Sequence, residues 1–131
     1  MTIKLSTAAR LLLGLIYLVF GLNGFFNFLP MKIPPMPEAA TAFMAGITQA
    51  GYFLPLLKGT EVVGGFLLLS GFAAPLALVV LAPITLNIFL FHAWLTPGTN
   101  NLILPLFMSL LHVGAACSFW RLYTPLFSRG N

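Results

Sequence analysis

The stretch PLALVVLAPITLNIFLFHAWL, residues 75–95, decides the fold: it contains no Asp, Glu, Lys or Arg. At about 20 residues it is long enough to cross a hydrocarbon core of about 30 Å as a helix. Three other stretches share its length and apolar character, running from Ala8 to Leu29, from Tyr52 to Ser70 and from Leu102 to Tyr123. Proline and glycine punctuate the joints. Pro30, Pro34, Pro35 and Pro37 follow the first stretch, Gly71 to Pro75 separate the second from the third, and Thr96 to Asn101 separate the third from the fourth. A bilayer offers backbone groups no water, so single spans of this kind must be helices. The sequence therefore predicts an all-α membrane protein of four antiparallel transmembrane helices, with no room among 131 residues for a soluble domain.

Composition agrees. Hydrophobic residues make up 60% of the chain and charged residues 6%, against roughly 25% charged in a soluble domain. The formal net charge of +4 comes from scattered Lys and Arg without a basic run, which argues against a nucleic-acid partner. It is a topology signal: Lys4, Arg10, Arg121 and Arg129 flank the terminal side, and Lys32 lies in the first connection. Both termini are expected in the cytoplasm of a bacterial cell, with the spans in its plasma (inner) membrane and the first connection and the Thr96–Asn101 loop facing outward. Lys4 and Arg10 before an apolar run also open a signal peptide, but the run is long and no A-x-A site follows it, which favours a retained span.

Within the first connection, from Pro37 to Ala50, Phe43, Met44, Ile47 and Ala50 recur on one side behind Pro37 and Glu38. This predicts a short amphipathic helix in the outer interface, either a lid over the bundle or a plain connector.

The polar residues inside the spans carry the functional information. Glu61, Lys58 and His112 fall near the bilayer centre, Asn23 and Asn87 about 5–8 Å farther out, and Asn27 and His92 about 12 Å out. Lys58 and Glu61, at i and i+3, share a helix face and read either as an internal salt bridge or as a proton or ligand site in which Lys58 tunes Glu61. Asn23 and Asn27, at i and i+4 with Tyr17 farther down, read as interhelical glue or as partners for a headgroup or quinone carbonyl. Pro83 cannot donate to the Val79 carbonyl, which predicts a kink beside Asn87 that opens an internal cavity. Small residues at Gly14, Gly21, Thr60, Gly64, Gly65, Gly114, Ala115 and Ser118 predict tight helix contacts within a bundle or between copies, as in a homo-oligomer.

Other chemistries are weaker fits. Cys117 is the only cysteine, so dithiol chemistry and multi-thiolate metal sites are excluded within one chain. His92 and His112 differ by about 12 Å in depth, too far apart to be axial ligands of one haem. Met31, Met36 and Met44 offer thioethers for Cu(I), yet in so apolar a chain packing roles explain them; no metal site is expected.

The strings Lys58-Gly-Thr-Glu61-Val-Val-Gly64-Gly65, the Gly71–Pro75 turn and Pro83-x-x-x-Asn87-x-x-x-x-His92 resemble the DoxX (DoxD-like) family of small four-helix membrane proteins. Met31 to Pro37 followed by Gly51-Tyr-Phe-Leu-Pro55 fits the same pattern. The resemblance implies a membrane partner of other redox enzymes: a subunit of a quinone-linked oxidoreductase, or an anchor for membrane or peripheral redox proteins, without catalysis or an intrinsic cofactor of its own. It places Glu61, Asn87 and His92 at polar positions of the family and transfers no catalytic set. The expected function is thus an accessory subunit holding a quinone or small lipid-like ligand in the outer half of the bundle. Two alternatives stand beside it: a proton-coupled solute path lined by Glu61, Lys58, Asn87 and His112, and a ligand-free scaffold.

Overall fold

A computed structural model describes residues 2–30 and 33–130; Met31 and Lys32, invoked above for thioether ligation and for topology, lie outside the described residues. Among the described residues four helices are long and apolar enough to span a membrane: α1 (Ile3–Phe26), α3 (Phe53–Ser70), α4 (Ala74–Leu90, continuing as a π turn over Phe91–Leu95) and α5 (Thr99–Cys117). The shorter α2 (Glu38–Gln49) fills the first connection, and α6 (Trp120–Tyr123) leads into a 3-10 turn at Thr124–Phe127. No strand occurs among the described residues.

The boundaries differ from expectation for local reasons. α1 starts before Ala8 because Thr2 caps it, its hydroxyl accepting the Leu5 N–H at 3.2 Å. It stops before Leu29 because Asn27 turns left-handed at φ 48 and returns its N–H to the Asn23 carbonyl at 2.8 Å. α5 likewise ends at Cys117, short of Tyr123, where the Ser118 hydroxyl donates back to the Ala115 carbonyl at 2.8 Å. Pro83 lies on the exposed side of α4, which runs through it uninterrupted; the irregularity comes later, in the π turn, where the Thr96 N–H reaches the Phe91 carbonyl at 3.1 Å.

The most extensive contact joins α1 to α3, and glycine makes it. A Cβ on Gly65 would sit 2.5 Å from the Leu18 nitrogen and 2.8 Å from the Gly14 carbonyl oxygen, so only hydrogen fits between the two backbones. Gly14 abuts Leu68, Gly21 abuts Val62 and Glu61, and Gly24 abuts Lys58: positions ascending on α1 meet positions descending on α3. Gly65→Ala is expected to force the helices apart and to cost roughly 1–3 kcal/mol. An SDS titration of the purified protein in mixed micelles checks this, and an unchanged midpoint would contradict the close approach.

Leu13, Tyr17, Leu68, Ala77, Leu78, Leu81, Met108 and Ala115 form the core between α1, α3, α4 and α5. Val63, Phe66, Leu76, Leu86, Leu106, Leu110 and Val113 point outward, an apolar exterior suited to lipid tails. Arg10, a topology charge in the sequence, also closes a helix end, since its guanidinium donates to the Leu68 carbonyl in the last turn of α3, beside the left-handed Gly71.

Candidate functional site

The polar residues divide into an inner and an outer group. Tyr17 lies on the α1 face that carries Gly14 and Gly21, and is therefore drawn into the bundle, where it is 1% exposed. Thr85 continues the buried α4 row of Leu78 and Leu81, and His112 faces them from α5. The Tyr17 and Thr85 hydroxyls lie 2.5 Å apart, the Thr85 hydroxyl is 2.8 Å from His112 Nδ1, and His112 Nε2 is 2.8 Å from the Leu78 carbonyl oxygen.

The last bond orients the chain. A carbonyl only accepts, so Nε2 carries a proton and donates to it. In neutral imidazole Nδ1 then accepts from the Thr85 hydroxyl, which in turn accepts from Tyr17. Three helices are joined through one sequence of donors, and its histidine end closes on backbone. With both ring nitrogens engaged, His112 has no free position for an axial haem ligand.

Beside this chain Lys58 Nζ donates to Glu61 Oε2 at 3.1 Å, with the Glu61 side chain 6% exposed and that of Lys58 25%. α1 makes space for the pair by lacking side chains opposite it: Cβ atoms on Gly21 and Gly24 would lie 3.1 Å from Glu61 Cβ and 2.5 Å from Lys58 Cγ. Glu61 lies against Gly21, one helical turn from Tyr17 on the same face of α1. The inner group thus draws on all four spans.

The outer candidates do not join it. Asn23 spends its side-chain oxygen on the Leu29 N–H at 2.8 Å, and Asn27 is exposed at the end of α1. The half-buried His92 donates through Nδ1 to the Ile88 carbonyl at 2.8 Å. Asn87, two residues from Thr85 and so on nearly the opposite side of α4, faces outward. It lines a depression of about 210 Å³ with Phe43 of α2 and Leu90, Phe91, Trp94 and Leu95, in which the Phe43 and Phe91 rings are 5.5 Å apart. Pro83 borders neither this depression nor the groove between α3 and α4.

Thr85 and Thr96 were not singled out in the sequence. Thr85 was detectable from the row Leu78, Leu81, Thr85 on one helical face. The Thr96 hydroxyl is buried without a hydrogen-bond partner just beyond the π turn, in a segment that reads as loop. No group of three His, Cys, Asp or Glu able to hold a metal occurs among the described residues.

A protein-family model described as DoxX matches residues 5–94, which takes in Tyr17, Lys58, Glu61, Thr85, Asn87 and His92 and stops short of His112. No curated protein and no solved structure matches the chain.

Proposed function

The chain belongs to the DoxX family, and from that premise we propose that it is an accessory or anchoring subunit of a membrane redox assembly that holds a quinone or small lipid-like ligand at its outer end. In this reading the four spans run antiparallel in a bacterial inner membrane with both termini cytoplasmic, and α2 lies in the outer interface. The observation that carries the ligand is the Asn87 depression. Its aromatic walls suit a flat ring, and the Asn87 amide, which makes no hydrogen bond among the described residues, is a donor for a ring carbonyl. The closed donor chain inside the bundle leaves the interior a packing role, so chemistry would come from the partner enzyme.

Trp94 borders the depression and is 82% exposed, which provides a reporter. In a Trp120→Phe background, a tailless dimethoxy-methyl-benzoquinone is expected to quench Trp94 fluorescence saturably, with affinity reduced about fivefold by Asn87→Leu through loss of one hydrogen bond. Linear quenching, identical in both proteins, would remove the ligand from this reading. The second reading, a ligand-free scaffold, would then stand, favoured by the closure of the inner chain on the Leu78 carbonyl.

A further inference from the structure

Two contacts gather the first turns of α1 and the segment after α5 at the turn between α3 and α4. The Arg10 guanidinium donates to the Leu68 carbonyl beside Gly71, and the Tyr123 hydroxyl donates to the Pro75 carbonyl in the first turn of α4 at 2.8 Å. Lys4, Arg10, Arg121 and Arg129 therefore belong to one end of the bundle. Neither acidic residue of the chain does: Glu61 is paired with Lys58 within α3, and Glu38 opens α2, beyond the far end of α1. We propose that this end is a docking surface for anionic phospholipid, whose phosphates pair with Lys4, Arg121 and Arg129 while its acyl chains cover the apolar side chains between them. The inference is independent of the outer depression.

The three cations are available. Lys4, Arg121 and Arg129 are exposed and form no ion pair among the described residues, whereas Arg10 is half-buried and committed to the end of α3. The surface around them is apolar rather than polar. Phe72 is 76% exposed and Phe127 81%, and Ile3, Trp120, Leu122 and Leu126 are exposed as well.

The segment after α5 is fixed so as to show this face. Phe119 packs against the core and Tyr123, four residues on, is bonded to Pro75, so one side of the segment is held on the bundle. Trp120, Arg121 and Leu122 lie on the exposed side. Aromatic and cationic residues together at the end of spans suit the border between hydrocarbon and headgroups.

This mixture selects the partner. A nucleic acid or an acidic protein would satisfy the cations and leave Phe72 and Phe127 in water. A zwitterionic lipid would cover the apolar side chains and bring a cation of its own to the charged ones. An anionic phospholipid meets both demands, with a net negative headgroup directly above hydrocarbon. Near an anionic membrane surface each Lys or Arg is worth about fivefold in affinity.

The two tryptophans serve as reporters, Trp120 at this surface and Trp94 at the depression. In phosphatidylcholine nanodiscs containing a minority of phospholipid brominated in its acyl chains, Trp120 is read in a Trp94→Phe background and Trp94 in a Trp120→Phe background. Brominated phosphatidylglycerol is expected to quench Trp120 as though enriched about fivefold over the bulk bilayer, and brominated phosphatidylcholine as at its bulk proportion. Trp94 should report bulk proportions for both. Lys4→Gln, Arg121→Gln and Arg129→Gln combined should abolish the enrichment at Trp120, as should salt at about 1 M, where the screening length falls to about 3 Å. An unchanged SDS midpoint shows that the triple variant keeps its fold, as expected for three exposed side chains. Equal quenching of Trp120 by the two lipids would overturn the proposal. So would an enrichment that survives the triple substitution or is equally strong at Trp94, because these cations would then not be what selects the lipid.

Discussion

Replacing Lys58 by Met is expected to be among the most damaging single changes, at about 3–5 kcal/mol, because it removes the partner of a carboxylate that is almost fully enclosed. The methionine retains the hydrocarbon stem that packs on Gly24, so the loss is electrostatic rather than steric. Adding Glu61→Gln in the same chain should restore most of the stability, since the buried charge has then gone with its partner. The double-mutant cycle, measured by SDS titration in mixed micelles, separates the pair from packing. A single Lys58→Met protein as stable as the parent would show that Lys58 is free to leave Glu61. The same pair accounts for Gly21 and Gly24: two glycines on α1 leave the space in which α3 carries a salt bridge at membrane depth.

Thr85→Val tests the other half of the inner group. Valine matches threonine in shape but takes the hydroxyl out of the middle of a three-helix chain, leaving the Tyr17 hydroxyl and His112 Nδ1 buried without their shared partner. At about 1–3 kcal/mol for each of the two unsatisfied groups, the expected loss is about 2–6 kcal/mol. Thr85→Ser keeps the hydroxyl and should stay within about 1 kcal/mol of the parent. If Thr85→Val and Thr85→Ser unfold at the same SDS fraction, the hydrogen-bonded chain contributes nothing to holding α1, α4 and α5 together. Both predictions concern stability because the inner polar groups bond one another.

Much of this was legible in one dimension. Lys58 and Glu61 are three residues apart on one helix, so helical periodicity put them on one face, and the structure shows the two side chains joined at 3.1 Å. Gly14, Gly21, Gly64 and Gly65 could be read as contact points because close approach of helices in lipid requires small residues. Asn23 shows the limit. Depth and residue type made it a candidate for a shared polar site, but the left-handed turn at Asn27 brings the Leu29 N–H to its side chain and uses it locally. Asn87 and Thr85 show a second limit: two residues apart at nearly the same depth, they face opposite ways, one to the depression and one to the interior.

Length and hydropathy along the chain were enough to determine four apolar helices of spanning length and their approximate ends, because a backbone placed in hydrocarbon must bond itself over about 20 apolar residues. Which polar groups meet was decided only by the tertiary structure. A hydrogen bond between helices needs the right rotation and axial offset of both, and those follow from how Gly14, Gly21 and Gly65 let α1 settle on α3 and how α4 and α5 then close around Tyr17.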